Sequence, residues 1–274
     1  MSGIVLQVEN LTYVYPNGEC AVKDVSFQIE KGQKVFFHGA NGAGKTTLFQ
    51  CLAGLLCPQH GVIRFDGRIV TKASQRMNLA SIVFQNADDQ IIAGSVFEEI
   101  AFGPMNQGLS HDEIHQRVEN AMRVMNIVHL REKPPHFLSY GEKKRVCIAS
   151  VLSMNRPLLI LDEPTAGLDT RQKEELVETL QQLSDTGHTL LIASHDTDFS
   201  FRNADRVVVL DHGVLLGEGT AVDVFSRNDV LNQPGLVKPV MMCVYETLLA
   251  HSVIKPGTIP KCANDLSVLL QSAE

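Results

Sequence analysis

Gly39-Ala40-Asn41-Gly42-Ala43-Gly44-Lys45-Thr46 spells GxxxxGK[ST], a pattern whose residue types suit the holding of a chain of phosphates. Glycines let the backbone turn so that successive N–H groups converge on phosphate oxygens. A helix opening at the end of the loop adds partial positive charge. Lys45 adds a full charge near the β- and γ-phosphates, and the Thr46 hydroxyl is placed to ligate Mg²⁺. The pattern predicts binding of a nucleoside triphosphate.

A second pair of residues completes that chemistry. The apolar run Leu158-Leu159-Ile160-Leu161 ends in Asp162-Glu163. At a strand end, Asp162 can hold Mg²⁺ through water. Glu163, one residue on, can polarise the water that attacks the γ-phosphate.

Both motifs need strands to carry them. Short apolar runs at 35–37, 82–84, 158–161 and 189–193 suit strands buried on both faces of a mostly parallel sheet. Residues 5–8, the alternation of Val25, Phe27 and Ile29, and residues 62–65 between Gly61 and Asp66-Gly67 predict a smaller, antiparallel-looking β region. Helical patterns fall at 46–52, 111–128 and 171–183. The expected class is α/β, with a β region at the front and a helical insert over about 86–155.

The character changes over the last fifty residues. Pro234, Pro239, Pro256 and Pro260 punctuate two short helical candidates, 240–250 and 265–271, with Asn264 as the expected N-cap of the second. One domain over 1–227 and a small appendage over 228–274 are therefore expected.

Composition sets the outer bounds. The 274 residues are 44% hydrophobic and 20% charged, enough for a real core. A net charge of −7 argues against a general electrostatic grip on nucleic acid, and none is expected as a partner. No apolar stretch is long enough to span a bilayer. Met1-Ser2-Gly3-Ile4 lacks the charged and apolar regions of a secretory signal, and the six scattered cysteines are expected as reduced thiols.

Further residues resemble the ATP-binding-cassette ATPases over roughly 4–225. Leu138-Ser139-Tyr140-Gly141-Glu142 resembles the family signature LSGGQ and starts a helix, with Ser139 and Glu142 reading as a capping box. Gln85 resembles the Q-loop glutamine, Ala166-Gly167-Leu168-Asp169 the D-loop, His195 the switch histidine and Tyr15 the aromatic that stacks on adenine. The signature departs from the pattern twice, at Tyr140 and Glu142.

The resemblance implies a P-loop ATPase fold with a mixed sheet core, an antiparallel β subdomain and a helical subdomain. It implies ATP bound by Tyr15, Gly39, Asn41, Gly42, Gly44, Lys45, Thr46, Thr47 and Gln85, with Mg²⁺ held by Thr46, Gln85 and Asp162. Lys45, Glu163 and His195 would be the catalytic residues. Ser139, Gly141 and Asp169 would act across a head-to-tail dimer, two ATP molecules lying between the copies.

The stretches Gln85-Asn86-Ala87-Asp88-Asp89-Gln90 and Glu98-Glu99-Ile100-Ala101-Phe102-Gly103-Pro104 resemble QNPDDQ and EDVAFGP of the energy-coupling-factor subfamily. Its members power uptake of cobalt, nickel or vitamins, which implies a membrane scaffold subunit, a substrate-binding membrane subunit and a peripheral place on the cytoplasmic membrane face. Two copies, or this chain with a related ATPase, would form the dimer. A soluble cassette that remodels macromolecular assemblies, and a low-turnover nucleotide-binding regulator, are the alternatives. His111 with His115 and the group Met241, Met242, Cys243 and His251 read more simply as a solvated helix start and as packing than as metal ligands.

Overall fold

Backbone polar groups inside a core must pair with one another, and the apolar runs of this chain do so as adjacent strands. In the computed structural model, residues 3–232 and 235–271 are described; Pro234 and the opening Met1-Ser2 lie outside them. The chain starts with two long strands, β1 (Ile4–Val14) and β2 (Cys20–Glu30), and then β3 (Lys34–His38) runs into α1 (Lys45–Ala53). Next come β4 (His60–Phe65), β5 (Arg68–Ile69), α2 (Ala73–Met77) and β6 (Ala80–Val83). Three helices follow: α3 (Val96–Asn106), α4 (His111–Val124) and α5 (Tyr140–Ser153).

The chain then returns to the sheet through β7 (Leu158–Asp162), α6 (Thr170–Asp185), β8 (Thr189–Ala193) and α7 (Thr197–Asn203). A hairpin, β9 (Arg206–Asp211) and β10 (Val214–Gly219), precedes α8 (Ala221–Phe225), α9 (Asn228–Leu231), α10 (Val240–Ala250) and α11 (Ala263–Gln271). Two sheets result, in the orders β2-β1-β4-β5 and β10-β9-β3-β8-β7-β6. The first is antiparallel; the second is parallel from β9 to β6, with β10 antiparallel at its edge. The hairpin at 206–219 was not among the expected strands.

Side chains alternate across a strand, and here the alternation sorts the core into two layers. Val35, Phe37, Leu158, Ile160, Leu191, Ala193, Val208 and Leu210 face α1 and the antiparallel sheet. Phe36, Leu159, Leu161, Leu190, Ile192, Val207 and Val209 face the helical side. Every residue of β3, β7 and β8 is buried. That explains why these strands read as unbroken apolar runs rather than as alternating ones.

Several expected boundaries move. The helix begun at His111 ends at Val124, because Asn126 takes φ 54 and residues 128–130 form a separate single turn. Phe84 falls outside β6. Asn264 is not an N-cap: it lies within α11, and the Leu266 amide donates to Cys262 O instead. The last stretch of chain is also tied into the main body. Val230, Leu236 and Met242 are buried in the same cluster as Phe201 and Phe225, and Val240 N donates to Asp198 Oδ1 at 2.7 Å. In contrast, α11 buries no residue. All six cysteines are free thiols.

Candidate functional site: a phosphate loop at the strand ends

Ligands of parallel sheets gather beyond the carboxyl ends of the strands. Register brings those ends level here: Asp162 pairs with Ala193, Phe37 with Ala193, and Val83 with Leu161. The loop 39–46, the Asp162-Glu163 pair, Ser194-His195 and Gln85 therefore emerge side by side. A cavity of about 260 Å³ between them is lined by Lys45, Thr46, Gln85, Asp162, Glu163 and His195, and Tyr15, Asn41, Gly42, Gly44 and Thr47 are also in its wall. Residues as far apart in sequence as Tyr15 and His195 thus converge on one space.

The loop has the shape its glycines allow. Gly39 and Gly44 take φ values of 145 and 98, and a Cβ on either would stand 2.2 Å from a backbone oxygen, of Leu210 and Ala21 respectively. Neither position tolerates a side chain. Gly44 also caps α1 without any side-chain hydrogen bond, so the first-turn N–H groups of that helix stay available to an anion. Lys45 is buried, and its Nζ donates to Gly39 O at 2.7 Å and Ala40 O at 3.2 Å. Burial lowers its pKa, while the Glu163 and Asp162 carboxylates pull it back up.

Opposite the loop, Thr46 Oγ1 donates to Asp162 Oδ2 at 2.6 Å. Two hard oxygen groups meeting this way are the donor set that Mg²⁺ prefers. Glu163 leaves the strand with φ 49, an uncommon conformation for a residue with a side chain, fixed by its N–H donating to Ala193 O at 3.1 Å. His195 Nε2 lies 3.2 Å from Glu163 Oε1, yet that buried oxygen has no directed hydrogen-bond donor. A carboxylate oxygen with no directed donor, on a residue that lines the cavity, fits a site built to accept from a water. Burial raises the pKa of Glu163, and His195 and Lys45 oppose the shift.

The remaining expected residues divide into two groups. Tyr15 shares a hydrogen bond of 2.9 Å between its hydroxyl and Thr47 Oγ1, and its ring meets Tyr13 edge-on at 5.0 Å. Ser139, Gly141 and Asp169 do not line the cavity. Ser139 and Glu142 form the expected capping box at the start of α5, and Asp169 caps α6 in the same way with Gln172. Gly141 is buried under the Gln172 amide, where a Cβ would lie 2.5 Å from Nε2. Glu19 and Ala21 line the cavity without having been singled out, because nothing in their spacing marks them.

His38 was also missed. It ends β3 fully buried, its Nε2 2.7 Å from Ser200 Oγ on α7 and its ring edge-on to Phe225 at 5.5 Å. The bond ties the strand that feeds the phosphate loop to the helix that follows His195. Desolvation, then the nearby Lys45 and His195, lower its pKa from 6.5 to about 3. Since the unfolded chain takes the proton first, this contribution is complete above pH 6.5 and is lost as pH falls toward 3. Urea unfolding should show wild-type stability falling across that window by about 1.4 kcal/mol per pH unit more steeply than His38→Asn. Equal slopes would refute the buried neutral imidazole.

Known proteins resemble this chain in sequence and fold. The ABC transporter family matches residues 22–166. The energy-coupling factor transporter ATP-binding protein EcfA of Carboxydothermus hydrogenoformans is 39% identical over 245 residues, 89% of this chain and 90% of that protein. A Methanosarcina mazei relative is 39% identical over 274 residues, 97% of this chain, and the chain spans 60% of its length. Among solved structures, CbiO1 of Clostridium perfringens, part of the ABC transporter complex CbiONQ, superposes with a TM-score of 0.76 at 39% identity, over 84% of this chain and 93% of that one. The phosphate loop, the paired acids and these likenesses together place the chain in the ABC transporter family, among the ATPases of energy-coupling-factor type.

Proposed function

We propose that this chain hydrolyses Mg²⁺-ATP to power a membrane uptake transporter for cobalt or nickel ions, with a vitamin as the second substrate class. Lys45 and the first turn of α1 hold the phosphates, and Tyr15 faces the base. Thr46, Asp162 and Gln85 are the residues that would hold Mg²⁺, which supplies charge to offset that on the phosphoryl oxygens. Glu163 orients the attacking water through its unpartnered oxygen, and His195 holds that carboxylate in place.

Ser139 and Asp169 are exposed and lie outside the wall of this cavity, which supports their acting toward a second cassette. That cassette lies head to tail with this one. ATP gripped by both copies then closes the dimer, and hydrolysis releases it. Glu142 keeps the cap of α5 intact in place of the family glutamine, with Ser139 N donating to its carboxylate at 2.7 Å, so the low-turnover alternative gains no support.

The observation that carries the transport reading is an apolar groove beside the Q-loop. Leu55, Met77, Ile92 and Phe102 are exposed large apolar residues, and all four line a groove of about 350 Å³ together with Ile82 and Gln90. Exposed apolar side chains gathered in one place mark a docking surface. Among the described residues no helix is long and apolar enough to cross a membrane. A membrane scaffold subunit resting in this groove would hold the chain at the cytoplasmic face and sense Gln85, while a separate membrane subunit binds the substrate.

Purification from native membranes in mild detergent, followed by mass spectrometry, tests this. A scaffold protein and a small multispanning subunit are expected to co-purify. A second cassette ATPase would indicate a heterodimer and favour a vitamin. Ribosomal or DNA-associated proteins alone would overturn the transport reading. Phe102→Asp should abolish co-purification and uptake while the free chain keeps its ATPase activity, because Phe102 is 51% exposed and a charge there leaves the core untouched.

A further inference from the structure

The geometry points to Tyr140 as a positioning residue that ties the Q-loop and the D-loop to the signature helix within one chain. The inference rests on the proposed roles of Gln85 and Glu163. Tyr140 and Lys144 are four residues apart on α5 and so share one face. Tyr140 OH donates to Gln85 O at 3.1 Å, and Lys144 Nζ donates to the same oxygen at 2.5 Å and to Phe84 O at 3.3 Å. A carbonyl oxygen has two lone pairs; α5 occupies both. Lys144 is 1% exposed, so its ammonium has exchanged water for these carbonyls. Lys143, next to it, pairs with Asp88 at 2.6 Å.

The other side of the Tyr140 ring meets the D-loop. Gly167 takes φ 74, and a Cβ there would lie 2.7 Å from Tyr140 Cε1. Only a glycine lets the ring lie this close. One side chain therefore touches the loop bearing Gln85 through its hydroxyl and the loop ending in Asp169 through its ring, and it springs from the residue after Ser139. A glycine, as in the family signature, would make neither contact. Displacement of Gln85 by nucleotide is passed to Ser139 and to Gly167 through one rigid aromatic group.

Turnover and amide hydrogen exchange on the full chain test the tie, using ATP with Mg²⁺ and comparing wild type, Tyr140→Phe and Tyr140→Gly. Tyr140→Phe keeps the ring over Gly167 and loses only the bond to Gln85. Its kcat is expected to fall about 5- to 10-fold, with KM and ATP affinity unchanged, as fits the loss of one hydrogen bond to the Q-loop backbone that makes no contact with nucleotide itself. Exchange should speed up over 84–90 and stay at the wild-type rate over 166–169. Tyr140→Gly should release both segments. Wild-type kcat and exchange in Tyr140→Phe would overturn the inference. So would faster exchange throughout α5 with a lowered Tm, which marks simple packing. Glu163→Gln serves as the control: wild-type turnover there would sink the site assignment, and the exchange data would still decide the tie.

Discussion

Glu163→Gln is expected to lower ATP turnover by about 100- to 1,000-fold while leaving ATP affinity within twofold of wild type. The amide keeps the size of the side chain and loses its basicity. The contacts that hold phosphate belong to Lys45 and the loop, so binding survives. The unpartnered Oε1, 3.2 Å from His195 Nε2, is the acceptor that water would lose. With hydrolysis stopped, ATP should accumulate with the protein as a closed dimer, visible by size exclusion. Turnover at the wild-type rate would refute the role. The pH profile carries the same signature. Burial raises the Glu163 pKa, so more of it is protonated at a given acidic pH. The acid limb of kcat should lie above the 4.5 of an ordinary glutamate, and it should vanish in Glu163→Gln.

Lys45→Ala should do the opposite and weaken ATP binding about 10- to 100-fold, the cost of one or two charge-assisted hydrogen bonds. The lysine is 7% exposed and sits at the start of α1, where its charge adds to that of the helix end. Among the described residues no other Lys or Arg lines the cavity. Titration with a fluorescent ATP analogue measures the change; an unaltered Kd would refute the assignment. The two substitutions separate binding from chemistry: one loses affinity, the other keeps it and loses rate.

Much of this was legible in residue order because the chemistry is local. A phosphate loop needs its glycines, lysine and threonine within eight consecutive positions, since adjacent N–H groups do the binding. The acids at Asp162 and Glu163 declared themselves by following an apolar strand, and Ser139 with Glu142 by the three-residue reach of a capping box. Strands β3, β7 and β8 were visible as apolar runs because they are buried on both faces, and β6, at the sheet edge, was visible as a shorter one. The hairpin of β9 and β10 was missed although Val207, Val208 and Val209 form an equally apolar run. Asn264 misled because a cap is defined by where the helix starts, and composition left that start uncertain by two residues.

By itself the sequence determined the loop, the paired acids and the α/β class, all set by neighbours along the chain. Tertiary structure alone decided which distant groups meet. Parallel register brings Asp162 level with Ala193 and delivers Thr46 to within 2.6 Å of its carboxylate. Packing puts His38 against Ser200, fills the space above Gly167 with the Tyr140 ring, and gives Gln85 O its two donors. Such contacts span 27 to 162 residues. No periodicity encodes them, because they depend on how whole elements stack.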